Sequence, residues 1–380
     1  MGEVLDQQSI IDDAIASTGL NDFGNSDWAE GLAVLLTAAR NEADLNEMGE
    51  MSFRHRMLGA VTNRLRVFDW IRNHPEVAHE KIERPVMIIG LPRTGTTALS
   101  NLLAADPDTR SLRVWESGSP IPPPTPATYE TDSRIATAQA GLDSLVQMVP
   151  AFPNMYDDSA QGTAEAIDLL GMSFRAFQFT GMAVIPSYDE WWLKCDMTTA
   201  YELHRQTLQL LQASCPPRRW HLKNPSDVFC LEAVRAVYPD AIFIWTHRDP
   251  VKVIPSVTNL VAELMDPFVN HLDRPQLGRT QSELWSEGIT RGMAFRDKNP
   301  AGFIDVAMTD LAADPLAVLA RIYAEVGWEF TAQAETAVVK HQSDTPRRSH
   351  QPDLAAYDFS TAQLRDRFSG YCDRFADFIN

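Results

Sequence analysis

The sequence predicts an α/β protein: a parallel sheet flanked by helices, with a helical N-terminal segment and a helical insertion. Three observations carry this. Short strand-like runs recur at PVMIIGL (85–91), RWHLKNP (219–225), AIFIWTHR (241–248) and GFIDVAM (302–308), rich in the β-branched and aromatic residues of buried strands. Stretches with helical spacing separate and follow them, notably DPLAVLARIYAEVGW (314–328). That alternation implies right-handed crossovers and a parallel sheet. Finally, the first run passes through a glycine-bounded loop into a helix, IIGLPRTGTTALSNLLAADP (88–107).

Taken in order, residues 1–83 read as helical. SDWAEGLAVLLTAARNEADLN has Ser26 or Asp27 as its cap, and HRMLGAVTNRLRVFDWIRNHP stops at Pro75. The core spans 84–330. Within it, SGSPIPPPTPATYE (117–130) predicts an extended loop, and about 131–217 a helical insertion carrying Phe174, Phe177, Phe179, Trp191 and Trp192. Residues 331–380 hold a basic cluster, KHQSDTPRRSH (340–350), and AAYDFSTAQLRDRFSGYCDRF, which reads as an amphipathic terminal helix. With no repeat and no clear linker, one domain over 1–380 is expected.

Composition narrows the function. A hydrophobic content of 44% supplies a core, and a formal charge of −18 argues against a general nucleic-acid surface. Any cationic cluster must then be local. The cysteines, Cys195, Cys215, Cys230 and Cys372, lack metal-ligand or redox spacing, so free thiols in a reducing compartment are expected. MGEVLDQQSI lacks a basic segment followed by an apolar run, and Asp6 stands where a myristoylation motif wants Ser or Thr. No apolar run reaches membrane-spanning length. A cytoplasmic protein is expected, with no membrane span and its oligomeric state open.

The loop from Pro92 to Thr97 is the chemical signal. A strand-to-helix junction aims backbone N–H groups and a helix N-terminus at one point, which suits an anion. Gly90 and Gly95 let the backbone bend, Thr94, Thr96 and Thr97 bring hydroxyls, and Arg93 brings a permanently charged fork. An ATP-cradling loop would put Lys directly after the second Gly; here that position is Thr96. A second cationic motif is THRDPVKVIPS (246–256). Arg248 ends a strand, Asp249 and Pro250 suit a helix start, Ser256 lies eight residues beyond Arg248, and Pro255 should kink the helix.

LPRTGTT, followed by a helix and ADPDTR, resembles the 5′-phosphosulfate loop of sulfotransferases that use 3′-phosphoadenosine 5′-phosphosulfate (PAPS). More narrowly, it is similar to the bacterial branch related to tyrosylprotein sulfotransferases. The resemblance implies a P-loop NTPase-like core, PAPS as co-substrate, no metal, and a small-molecule acceptor. It gives Pro92, Arg93, Thr94, Gly95, Thr96 and Thr97 to the 5′-phosphosulfate, and Arg248 and Ser256 to the 3′-phosphate. The Lys-x-Pro turn of HLKNP makes Lys223 a second catalytic cation beside Arg93. Trp-Glu before a proline-rich loop makes Glu116 the expected base. The rival is Asp227, where relatives often carry His; His221, on the same side of its strand as Lys223, is a positioning residue or core. Arg347 or Arg348 would close over the 3′-phosphate, or belong to a solvated loop. The aromatic insertion around 150–200 would form a pocket for a hydroxyl or amine on an apolar or lipid-like acceptor. The alternatives are a small-molecule P-loop kinase, which would need the missing lysine and magnesium, and a non-catalytic nucleotide-binding scaffold.

Overall fold

The computed structural model describes residues 4–155, 159–215, 219–344 and 355–379. Its sheet has five parallel strands: β1 (Val86–Gly90), β2 (Thr109–Arg110), β3 (Arg219–Lys223), β4 (Ile242–His247) and β5 (Phe303–Ala307). Their spatial order is β2-β3-β1-β4-β5. Every expected strand is present; β2, two residues long, carries too little pattern to be read. The chain direction across the sheet reverses at β1, so the loops leaving β1, β3 and β4 emerge side by side at the carboxyl edge. That is where open α/β sheets bind ligands.

Strand alternation divides the core. Val86, Ile88, Ile244 and Ile304 face one layer, against Leu99 and Leu103. Those leucines belong to the helix at Thr96–Ala104, and Leu319 and Ile322 of a helix at Pro315–Val326 complete that layer. Met87, Ile89, Phe243 and Trp245 face the other way, into a larger cluster shared with the N-terminal helices and the insertion. The N-terminal helices are α1 (Gln7–Thr18), α2 (Asp27–Glu42) and α3 (Glu47–Asn73). The last begins well before the stretch read from sequence, because Asn46 caps it by accepting from the Gly49 N–H at 2.9 Å.

After α4 (Thr96–Ala104) come a short α5 (Val114–Gly118) and α6 (Ser133–Met148). The insertion is less helical than its composition suggests. Between α6 and α7 (Thr198–Ser214) it holds only short helices, and an extended piece lies along the sheet edge: Thr163 bridges Arg113 and Glu165 bridges Lys223. Two long helices follow, α8 (Pro250–Met265) and α9 (Arg274–Lys298). The expected single terminal helix is two, Thr361–Arg367 and Ser369–Arg374, broken at Phe368, whose backbone leaves helical geometry at φ −102° and ψ 17°.

The β1–β4 pairing requires glycine at the end of β1. Gly90 lies opposite Thr246 with φ 126°, and a Cβ there would stand 2.8 Å from the Thr246 carbonyl and 2.9 Å from the Trp245 ring. Gly90→Ala is expected to cost at least about 2 kcal/mol through backbone strain and the clash with the main chain of β4. A urea titration checks this: the midpoint should fall with the slope unchanged.

Candidate active site

The loop after β1 is built around two left-handed residues, Arg93 (φ 63°) and Gly95 (φ 90°). For a non-glycine residue that conformation is strained and must be held by its surroundings. The holding contacts come from Thr94, which is fully buried. Its hydroxyl donates to the Leu91 carbonyl at 2.6 Å and shares a hydrogen bond with the Thr246 hydroxyl at 2.5 Å. Gly95 caps α4 with no side-chain bond, so the first-turn N–H groups of α4 have no capping side chain. Pro92, Arg93, Gly95, Thr96 and Thr97 all line one cavity of about 1290 Å³. A backbone cradle with hydroxyls and a fixed guanidinium is a fitting site for a tetrahedral anion.

The second cationic motif reaches the same cavity. Arg248 donates through Nη1 to the Arg93 carbonyl at 3.1 Å, and Arg93 Nε donates to Ser256 Oγ at 3.3 Å. Pro255 sits inside α8 without ending it, and Ser256 still meets the loop. Lys252, missed in the sequence reading, lines the cavity between them. Its signal was the four-residue spacing of Lys252 and Ser256, which sets both donors on one face of α8 just beyond Arg248. The strand end that carries Arg248 is held from behind. Tyr371 donates to His247 Nδ1 at 2.9 Å, and His247 Nε2 donates to Asp305 Oδ1 at 2.8 Å. Arg296 grips the same carboxylate with two bonds of 2.6 and 2.7 Å. Burial lowers the His247 pKa and keeps the ring neutral, whereas Arg296 and His247 hold Asp305 well below the usual carboxylate range despite its burial. Asp249 caps α8 and accepts from Arg365 at 2.5 Å.

Lys223 and His221 both point at α4. Lys223 Nζ donates to Thr97 Oγ1 at 3.2 Å; its side chain is fully buried and lies behind the cavity wall, which Thr97 and Glu165 line in front of it. His221 Nε2 meets the Ser100 carbonyl at 3.1 Å; burial drops its pKa to about 4, and it lies off the cavity wall. It is a core histidine. Lys223 faces an acid the sequence reading passed over: Glu165 Oε1 lies 3.5 Å from Nζ. Glu165 is 22% exposed and lines the cavity. Its only signal in sequence was a carboxylate inside the apolar stretch GTAEAIDLLGM.

Both base candidates read from sequence stand elsewhere. Glu116 has no exposed surface and is not on the cavity wall. Arg110 donates to its Oε1 at 2.7 Å, the Arg113 N–H caps onto Oε2 at 3.2 Å, and Tyr129 OH approaches at 3.4 Å. Burial pushes the Glu116 carboxyl up while Arg110 pulls it back. The carboxylate therefore fastens α5 to the edge of the sheet. Asp227 is likewise buried and off the wall, accepting from Tyr201 OH at 2.6 Å and from the Asn224 amide. Burial raises its pKa to about 7, against those two bonds. That value suits a base, but the position does not. Arg347 and Arg348 lie outside the described residues.

The rest of the cavity is apolar. Of the aromatics singled out in the insertion, Phe177 lines it; Phe174, Phe179 and Trp192 are core. The 150–200 stretch expected to form the pocket also supplies Phe152, Ile167 and Met182, and α6 (Leu142, Leu145, Met148) and α8 (Val257, Leu260, Leu264), on either side of it in sequence, complete the apolar wall. Among the described residues, no helix is long and apolar enough to cross a membrane.

A family profile described as the sulfotransferase family matches residues 85–332, which include all five strands and both cationic motifs. The chain belongs to the sulfotransferase family. This sulfotransferase is similar along its length to two solved structures. With sulfotransferase STF1 from Mycobacterium tuberculosis it shares 33% identity over 96% of this chain and 98% of that one, with a TM-score of 0.85. With sulfotransferase STF9 from Mycobacterium avium the identity is 30% over 98% and 97%, with a TM-score of 0.89. It is also 31% identical over 112 residues to the omega-hydroxy-beta-dihydromenaquinone-9 sulfotransferase Stf3 of Mycobacterium bovis, a match spanning 28% of each chain. Sulfotransferases generally draw the sulfuryl group from PAPS.

The buried carboxyl of Asp227 gives this sulfotransferase a pH signature. With a folded pKa of about 7, above the unfolded value of about 3.9, its contribution is fully present below pH 4 and is lost as pH rises toward 7. Asp227→Asn removes that titration. The melting temperature of the variant relative to wild type should therefore rise between pH 4 and pH 7 and level off above it, as scanning calorimetry across buffers would record.

Proposed function

We propose that this sulfotransferase moves a sulfuryl group from PAPS to a hydroxyl of an apolar, lipid-like acceptor. The observation that carries the reading is continuity: one cavity joins the two cationic motifs to an apolar arm, with Glu165 and Thr97 along its wall. PAPS supplies an activated sulfuryl group flanked by a 5′-phosphate, with a second phosphate at the 3′ position. Arg93, Thr96, Thr97 and the α4 N-terminus bind the phosphosulfate; Arg248, Lys252 and Ser256 bind the 3′-phosphate. Lys223, buried behind Thr97, balances through that hydroxyl the charge that grows on the departing oxygen. Glu165 takes the acceptor proton in place of Glu116, being the carboxylate that both faces the cavity and lies beside the catalytic lysine. The apolar arm orients the acceptor and excludes water. The apolar lining of that arm, Leu142, Leu145, Met148, Val257, Leu260 and Leu264, favours a lipid alcohol over a small sugar or metabolite. The curated relative named for an omega-hydroxy menaquinone derivative supports a lipid class, without naming the acceptor here. We also propose that 1–380 acts as one domain, because the C-terminal helices support the Arg248 strand.

Labelled PAPS offered with phenols, sterols and lipid alcohols tests the reading directly. Transfer to a lipid alcohol without added metal is expected. Bisphosphate binding with no transfer across all classes would favour the non-catalytic scaffold, and magnesium-dependent use of ATP would favour a kinase. Arg248→Ala should weaken adenosine 3′,5′-bisphosphate by roughly 1.5–3 kcal/mol while leaving AMP nearly unchanged, as calorimetry would report. Glu165→Gln is expected to cut single-turnover transfer about 10²–10⁴-fold at saturating PAPS, with bisphosphate affinity retained. Glu116→Gln should instead lower thermal stability and leave the transfer rate of the folded enzyme near wild type.

A further inference from the structure

We propose that Arg56, fixed by Asp168 and Gln178 in the wall of the acceptor arm, binds a second group on the acceptor, a neutral carbonyl such as an ester, amide or ketone. This rests on the acceptor reading above and deepens it: the substrate class becomes a hydroxylated lipid that also carries a carbonyl.

The three side chains line the same cavity as Arg93 and Glu165. Arg56 Nη2 donates to Asp168 Oδ1 at 2.6 Å and also to Gln178 Oε1. Each partner is itself held. The second oxygen of Asp168 accepts from Ser117 Oγ at 3.0 Å. The Gln178 amide nitrogen donates to the Ile167 carbonyl at 2.9 Å and packs over Gly171, where a Cβ would stand 2.3 Å from it. The guanidinium is therefore fixed through one nitrogen. Among the described residues, no hydrogen bond uses its Nη1 or Nε, so three of its five N–H groups stay available, two of them on Nη1. With Arg56 at 44% and Asp168 at 24% exposure, the pair adds little to stability, yet it places a charged group, with Ser52 and His55 nearby on the same helix, in a cavity whose far wall is Leu, Met, Phe and Val.

Charge selects the ligand. Asp168 already balances the guanidinium, so an additional carboxylate would sit beside a like charge, whereas a neutral carbonyl oxygen needs only the free Nη1 group. Distance limits it as well. Asp168 follows Glu165 by three residues, so their Cα atoms lie no more than roughly 11 Å apart. A carbonyl one medium-length alkyl chain from the sulfated hydroxyl is therefore within reach of Arg56.

The test is calorimetric and independent of turnover. Methyl 8-hydroxyoctanoate, 8-hydroxyoctanoate and octan-1-ol are titrated into the protein saturated with adenosine 3′,5′-bisphosphate. Wild type should bind the ester at least tenfold more tightly than the alkanol or the carboxylate. Arg56→Met should bring ester and alkanol to equal affinity while alkanol and bisphosphate affinities hold. Asp168→Asn, which leaves the guanidinium in place and removes its counter-charge, should swing the preference toward the carboxylate by tenfold. Equal ester and alkanol affinities in wild type, or an ester preference that survives Arg56→Met, overturns the proposal. Loss of bisphosphate binding would instead count against the donor reading, and the same titrations without nucleotide still decide the role of Arg56.

Discussion

The pairing of β1 with β4 is the constraint on which the site depends. It puts Gly90 opposite Thr246, and the loops that leave the two strands are then joined by the Thr94–Thr246 hydroxyl contact at 2.5 Å. From that junction follow the strained Arg93, its contact with Ser256, and the bond from Arg248 back to the Arg93 carbonyl. The two anion-binding motifs are thus one hydrogen-bonded structure. Their spacing is set by the separation of neighbouring strands, about 4.8 Å, rather than by flexible side chains.

An acidic chain of charge −18 can hold a multiply charged donor because its cations are gathered and its carboxylates tied elsewhere. Asp305 is saturated by Arg296 and His247, Glu116 by Arg110 and Arg113, and Asp249 by Arg365. Burying Lys223 without Thr97 and Glu165 would carry a large desolvation cost. The same Glu165 that stands beside the lysine lines the cavity, so the proposed acid–base role and the stability of the buried charge share one contact.

Local patterns were legible and long-range partnerships were not. The strands, α4 and the helix at Pro315–Val326 follow from period and from turn residues, and the cationic loops follow from spacing. The long helix α9 was passed over because Gly278, Gly288 and Gly292 and many polar residues dilute its period. Glu116 looked like a base because Trp-Glu before prolines is a sequence feature; its engagement by Arg110, across the turn into α5, is a folded one. Glu165 and the Arg56–Asp168 pair were invisible for the complementary reason. Each acquires meaning from a partner 58 and 112 residues away, respectively, and no local pattern encodes such a distance.

The support behind Arg248 has a consequence for synthesis. His247 and Tyr371 meet across 124 positions of the chain. At 5–20 residues per second, the tyrosine leaves the ribosome about 6–25 s after the histidine. During that interval β4 can pair with β1, but its end lacks the aromatic and ionic brace that the later helices bring. A nascent chain can therefore form the β1–β4 pairing before the strand end that carries Arg248 is braced.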